Sequence, residues 1–363
     1  MSNDRFIVIM AGGRGERFWP ASRLNRPKQL LPIVGKEPLL VQTLARLEGV
    51  VPPDRMFILT NCEQREQVLE TCPWVPAGQV VGEPVGRDTA PAVALARLLV
   101  SRKSPNAAFA MLPADHVIRD ITGYQSVLKT AFSIAEQQET LVTIGIQAEY
   151  PATGYGYIRK GASLQGEHGH PACSVAEFVE KPDRATAERY LASGQYYWNA
   201  GMFVWRADVL HQQLQKHAPG LADGIGRIES ALAGGESLDS ALETYYPDME
   251  KISIDYALLE HADSVSVVES AFDWDDVGEW PAVARHYPKD DRGNVLDGHS
   301  VVESGSNNIV ISHGDRLTAV LGADDLVVVQ TEDATLVCPR SRAQEVKKLV
   351  ARLDKDPETR PWV

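Results

Sequence analysis

The sequence predicts an α/β fold, a mostly parallel sheet covered by helices on both faces and followed by a compact β unit. Three observations carry this prediction. Strand-like apolar runs alternate with helical patterns from Phe6 to Gly145. A glycine-rich turn follows the first run at once, at the carboxyl end of a strand, where such sheets bind ligands. Short apolar runs separated by Gly, Asp or Asn fill the last part of the chain, from Asn308 to Cys338.

Phe6 to Met10 is an unbroken apolar run and reads as a buried strand. Pro38 opens a helical pattern, LLVQTLARLEG, that stops at Gly49. Arg55 to Thr60 is a second strand, Cys62 to Glu70 a polar-faced helix, and Val80 and Val81 lead into Glu83-Pro84. Ala90 to Arg102 is a helix, Ala107 to Leu112 a strand, Ile121 to Gln137 a helix and Leu141 to Gly145 a strand. From about Pro151 the rhythm loosens into short strands at Tyr155 to Arg159, Ser174 to Val179 and Gly201 to Trp205. His286 to Gly298 has the turn-rich composition of a linker. Apolar runs at Asn308 to Ser312, Leu317 to Leu321, Leu326 to Gln330 and Thr335 to Cys338 form the β unit, and Ser341 to Leu353 is a closing amphipathic helix. No exact internal repeat is evident. The expected division is a catalytic domain over 1–288 and a small β-rich domain over 289–363 that ends in a helix.

Composition excludes several classes. With 44% apolar and 23% charged residues the chain is an ordinary globule. Its 49 acids against 36 Lys and Arg argue against general nucleic-acid binding. No apolar leader precedes the first strand, and the run from Ala90 to Val100 is interrupted by Arg97 and too short for a bilayer, so a cytoplasmic protein without a membrane partner is expected. Cysteines at 62, 72, 173 and 338 have no metal-ligand spacing and read as reduced thiols, and the nine histidines form no zinc-like cluster.

The informative stretch is FIVIMAGGRGERFWPASRLNRPKQLLP, Phe6 to Pro32. Gly12, Gly13 and Gly15 let backbone N–H groups approach an anion. Arg14, Arg17, Arg23, Arg26 and Lys28 stand against Glu16 alone, a local charge of +4 in a chain of net charge −13. That concentration points to a polyphosphate ligand. The Walker pattern is absent, and Phe18 stands where the dinucleotide fingerprint needs its third glycine. No assignable ribose-binding acid follows, which also argues against a dehydrogenase.

The stretch Gly12-Gly13-x-Gly15-x-Arg17-Phe18, with Pro20-x-Ser22 and Pro27-Lys28, resembles the signature of the sugar-1-phosphate nucleotidyltransferases. Its Phe18-Trp19-Pro20-x-Ser22-Arg23…Pro27-Lys28-Gln29 form is similar to the mannose-1-phosphate guanylyltransferase branch. The resemblance extends over roughly residues 6 to 290 and implies a Rossmann-like mixed sheet with a small C-terminal β-helix-like domain used in self-association as a homodimer. It also implies transfer of GMP from GTP to mannose 1-phosphate with Mg2+, by direct in-line attack. A serine or cysteine triad is neither needed nor seen.

Site residues follow motif by motif. Arg17 and Lys28 carry over to the triphosphate contacts, with Ala11, Gly12, Gly13, Arg14 and Gly15 around the nucleotide. Asp115, in Leu112-Pro113-Ala114-Asp115-His116, would leave the carboxyl end of a strand, and Asp276 lies in Asp273-Trp274-Asp275-Asp276-Val277-Gly278. Two carboxylates meeting phosphate oxygens suit magnesium, so Asp115 and Asp276 are the expected metal ligands. Glu83, Arg87, Asp88 and Thr89 would face the base, a Glu83 carboxylate accepting from guanine N1–H and its amine. The family form has Asn where this chain has Asp88, and Asp88 or Thr89 is also a good helix N-cap. Gly154 and Tyr155, Glu180 and Lys181, Asn199, and Asp255 are expected on the sugar phosphate, with Asp255 alternatively a helix cap. Lys181 joins Arg17 and Lys28 as a catalytic cation.

Two alternatives remain. One is a guanylyltransferase for another sugar 1-phosphate, such as a heptose. The other is a silent nucleotide-sugar-binding regulatory subunit, which the presence of Lys28, Asp115 and Asp276 disfavours. The chain ends at Val363 soon after the β unit, and no phosphomannose isomerase activity is expected.

Overall fold

The computed structural model describes residues 4–164 and 169–363; residues 1–3 and 165–168 lie outside the described residues. The first strand, β1 (Arg5–Met10), is followed by helix α1 (Leu39–Ala45), β2 (Met56–Asn61), α2 (Arg65–Thr71) and β3 (Val80–Glu83). Then come α3 (Thr89–Ser101), β4 (Ala108–Pro113), α4 (Ile121–Gln137) and β5 (Leu141–Gln147). Strands β6 (Tyr157–Ser163), β7 (Ala172–Val179), β8 (Tyr196–Arg206) and β9 (Val265–Glu269) complete the large sheet, with α5 (Arg184–Ser193), α6 (Ala207–His217), α7 (Pro219–Ala233) and α8 (Leu238–Tyr245) between them.

The nine strands run in the order β3-β2-β1-β4-β8-β5-β9-β7-β6. β3, β2, β1 and β4 form a parallel block, and β8 joins it antiparallel to both β4 and β5. The result is the expected mixed sheet, with its antiparallel pairings gathered in the half that contains the long β8.

Side chains alternate across a strand, and here both faces are dry. Phe6 and Val8 of β1 enter one apolar cluster with α3, α6 and α7, while Ile7 and Ile9 enter the other with α1 and α4. This explains why β1 reads as a continuous apolar run rather than an alternating one. Burying each such side chain contributes roughly 1.5–3 kcal/mol.

Past a short helix α9 (Trp280–Val283), the chain enters the small unit. β10 (Val295–Gly298), β12 (Ile309–Ser312) and β14 (Leu326–Gln330) stack in parallel, with β15 (Thr335–Pro339) antiparallel at the edge. β11 (Ser300–Glu303) and β13 (Thr318–Leu321) form a second, two-stranded parallel sheet, and Val310, Val320 and Val328 pack in a small cluster of their own. Asn294 accepts from the amide of Asn308 at 2.9 Å, and Asn308 from that of Leu326 at 3.0 Å, so buried asparagines satisfy backbone donors at the corner of each coil. The linker expected over His286 to Gly298 is therefore shorter than composition suggested, because its last residues are already β10. The closing helix is likewise split, into a 3-10 segment (Arg340–Glu345) and α10 (Val346–Leu353).

The small unit is not tethered loosely. A third apolar cluster joins Phe18, Trp19 and Leu31 of the signature to Trp280 and to Val295, Ile309, Val327, Val346 and Val350. Trp19 Nε1 donates to the carbonyl of Trp362 at 2.7 Å, and Phe18 meets Trp280 edge-on at 5.1 Å.

Candidate active site

Parallel strands end on one edge, and β1, β3 and β4 bring three loops together there. The glycine turn follows β1, Glu83 closes β3, and Asp115 sits two residues beyond β4. Asp276 arrives from the other half of the sheet. Val117 and Asp275 exchange backbone hydrogen bonds at 2.8 and 3.1 Å, which staples the Asp276 loop beside the Asp115 loop.

Lys28 connects the two. Only 4% exposed, it donates from Nζ to Asp115 Oδ2 at 2.9 Å and to the carbonyl of Asp276 at 2.8 Å. Burial opposes ionisation of Asp115, but the Lys28 ammonium outweighs it and holds the carboxyl below its ordinary range. Gly15 makes this possible. Its φ of +63° needs a glycine, and a Cβ there would lie 2.4 Å from that of Lys28.

Of the three aspartates in the 273–276 segment, only Asp276 opens onto the phosphate side. Asp273 accepts from the amides of Arg119 and Asp120. Asp275 lies between Arg285 and His286; burial works against ionisation there, yet His286 and Arg285 lower its carboxyl to about 2. Tyr155 donates to Asp276 Oδ1 at 2.7 Å. Its phenol, expected on the sugar phosphate, is thus hydrogen-bonded to a candidate metal ligand.

Two cavities adjoin in this cleft, and a third lies beside the glycine turn. One of about 410 Å3 is bordered by Arg14, Arg17, Lys28, Asp115, Asp276 and Lys347. Another, of about 530 Å3, shares Arg17, Asp276 and Gly278 with it and adds Gly154, Tyr155 and Lys181. The third, about 240 Å3, lies between Gly12, Gly13, Glu83, Arg87, Asp88 and Thr89. Ala11 is buried beneath the glycine turn.

The third cavity holds a carboxyl at its floor. Burial raises Glu83 to about 7, against the effect of the Tyr246 hydroxyl that donates to its Oε1. Arg87 donates to the carbonyl of Pro247, and Thr89 accepts from the amide of Ile254 at 2.8 Å, so both are committed to neighbouring backbone. Asp88, at φ +67°, is the N-cap of α3 and accepts from the amide of Thr89.

On the sugar side Glu180 and Lys181 pair at 2.6 Å, and Asn199 Nδ2 donates to Asp255 Oδ1 at 3.0 Å. Burial, then the Glu180 carboxylate, raises Asp255 to about 7, while burial of Lys181 is outweighed by Glu180, which raises the ammonium. Asp255 opens a π-turn (Asp255–Leu259) and faces Asn199; it is not a helix cap. Gly156 is closely packed here, since a Cβ would meet Glu180 Oε2 at 2.6 Å.

The cationic run divides. Arg14, Arg17 and Lys28 border the phosphate cavity, but Arg23 pairs with Asp333 at 2.7 Å and donates to the Trp362 carbonyl at 2.6 Å. It fastens the small unit and is not part of the phosphate wall; Arg26 forms a backbone bridge with it. Sequence reasoning missed Tyr246, His116, Gln344 and Lys347. Tyr246 lies 163 residues from its partner Glu83, and no local pattern signals that contact.

A profile described as Nucleotidyl transferase matches residues 7–292. The chain belongs to that family. A second profile, the MannoseP isomerase/GMP-like beta-helix domain, matches residues 299–353 and gives the stacked coils their class. Among family relatives, a mannose-1-phosphate guanylyltransferase of Klebsiella pneumoniae is 40% identical over 98% of this chain and 77% of its own length. The alginate biosynthesis protein AlgA of Pseudomonas aeruginosa is 39% identical over 96% of this chain and 72% of its own. A crystal structure from Thermus thermophilus, described as mannose-1-phosphate geranyltransferase, superposes with a TM-score of 0.83 at 37% identity, covering 97% of this chain and 99% of that one. No described helix is long and apolar enough to cross a membrane.

Proposed function

We propose that the chain is a mannose-1-phosphate guanylyltransferase, converting GTP and α-D-mannose 1-phosphate to GDP-mannose and pyrophosphate. The observation that carries this reading is Lys28, buried on the wall of the phosphate cavity and hydrogen-bonded to Asp115 and to Asp276, the latter shared with the sugar cavity. The names of the full-length relatives support the base and the sugar.

Glu83 would accept from guanine, and Gly12, Gly13 and Gly15 would leave room for the nucleotide. Arg14, Arg17 and Lys28 would neutralise the triphosphate, with Lys181 on the sugar phosphate. A sugar-phosphate oxygen attacks the α-phosphorus, and the bond from that phosphorus to the oxygen bridging to the β-phosphate breaks. Pyrophosphate leaves with that bond's electron pair. The anomeric C–O bond is untouched, and no covalent protein intermediate forms. Catalysis is positioning plus charge stabilisation.

Asp115 and Asp276 fit magnesium. Both border the phosphate cavity with hard oxygen donors, and no larger His, Cys, Asp or Glu cluster surrounds them among the described residues. That matches an ion that keeps waters and shares substrate phosphates. Bound there, it would add positive charge against the phosphates.

The enzyme is proposed to act in the cytoplasm, and as a homodimer through the small unit. Val301 and Leu321 share the outward face of the β11–β13 sheet, Leu321 being 77% exposed. Mannose 1-phosphate labelled with 18O at the anomeric oxygen tests the chemistry: all label should appear in GDP-mannose, and label in pyrophosphate or water would exclude the route.

A further inference from the structure

We propose that Lys347, on α10 of the small unit, is a further substrate-contacting residue that binds the pyrophosphate end of the nucleotide. The β unit then completes the active site of its own chain. This rests on the nucleotidyl-transfer reading above.

The first support is placement. Val346 and Val350 are buried in the same apolar cluster as Phe18 and Trp19, which pins α10 against the signature. Lys347 projects from the helix's exposed side and borders the phosphate cavity. Among the described residues it has no hydrogen bond or ion pair, whereas its neighbour Lys348 reaches Glu345 at 3.5 Å.

Charge is the second. Around that cavity Arg14, Arg17 and Lys28 are matched by Glu16, Asp115 and Asp276. Without Lys347 the side chains that meet the triphosphate sum to zero. The ammonium of Lys347, matched by no carboxylate among the described residues, adds positive charge to that wall beyond the charge of the ion proposed at Asp115 and Asp276, which favours a polyanion.

Geometry then selects the phosphates concerned. The α-phosphorus must lie where the phosphate and sugar cavities overlap, at Arg17 and Asp276, because the sugar phosphate attacks it there. Lys347 borders neither the sugar cavity nor the base cavity. It therefore faces the departing end.

The test is steady-state kinetics in both directions on the full chain with Lys347→Ala, Lys347→Arg and Lys347→Glu, beside Lys348→Ala. Lys347→Ala should raise KM for GTP and for pyrophosphate about tenfold, equivalent to ~1.4 kcal/mol. KM for mannose 1-phosphate and for GDP-mannose should stay within about twofold. Arginine should restore most of the affinity, glutamate should cost more than alanine, and Lys348→Ala should match the wild type. An unchanged pyrophosphate KM in Lys347→Ala, or an equal rise for GDP-mannose, would overturn the assignment. If the wild type turned nothing over, the functional reading would fail; calorimetric binding of inorganic pyrophosphate to wild type and Lys347→Ala would still decide Lys347.

Discussion

The ammonium of Lys28 lies 2.9 Å from Asp115 Oδ2, and the same nitrogen donates to the backbone of Asp276. One side chain thus ties the signature loop to the two loops that carry the candidate metal ligands, although those loops are far apart in sequence.

Lys28→Ala should lower kcat/KM at least 100-fold, in the range of losing a preorganised charge contact at a reacting centre. Asp115 is partly exposed, so the loss of its ion pair should cost less than the 3–5 kcal/mol of a fully buried one. Steady-state kinetics with a denaturation curve separates the two effects. A variant as active as wild type would contradict the bridging role.

Gly15→Ala and Gly13→Ala should part company. The first faces a positive φ and Lys28, and should destabilise by about 1–3 kcal/mol. The second has nothing within 4 Å of its would-be Cβ, so it should melt like wild type while weakening GTP binding. Calorimetry on both variants reads each outcome.

Glu83 binds its proton more tightly folded, at about 7, than its ordinary value of 4.5. The stability it contributes is fully present below about pH 4.5 and is lost as pH rises toward 7, up to about 3 kcal/mol. Guanine recognition needs the ionised form, so GTP affinity should fall as pH drops below 7. Glu83→Gln should flatten both profiles and raise KM for GTP about tenfold. A pH profile of GTP binding unchanged by Glu83→Gln would remove Glu83 from base reading.

Asp255 should behave alike on the sugar side, since it too is raised to about 7 from an ordinary 3.8, and its stabilising share is lost between those pH values. Asp255→Asn should relieve that loss and alter KM for mannose 1-phosphate about threefold or more, leaving that for GTP unchanged. Parallel changes in both would place Asp255 elsewhere.

Much of this was legible because the signature is local. The β1 run, the glycine turn and Lys28 lie within Phe6 to Pro32, and the parallel strand ends follow from alternation alone. What escaped depends on tertiary pairing. The resemblance names Asp276, but type alone does not tell it from Asp273 and Asp275; the physical reason, the Val117 to Asp275 bridge and the Arg285 pairing, is tertiary. Arg23 counts toward the cationic run in sequence because its partner Asp333 is 310 residues away. The coil period escaped too: Ser312 and Gln330, 18 residues apart, pair across neighbouring turns, but so few turns leave no visible repeat.

The most direct measurement is pyrophosphate release with magnesium, pairing GTP, ATP, UTP and CTP with mannose 1-phosphate and other sugar 1-phosphates, beside Asp276→Ala. Turnover confined to GTP with mannose 1-phosphate and lost in the variant is the predicted result. Turnover of no pair, with tight nucleotide-sugar binding retained, would contradict the enzyme and leave a regulatory subunit.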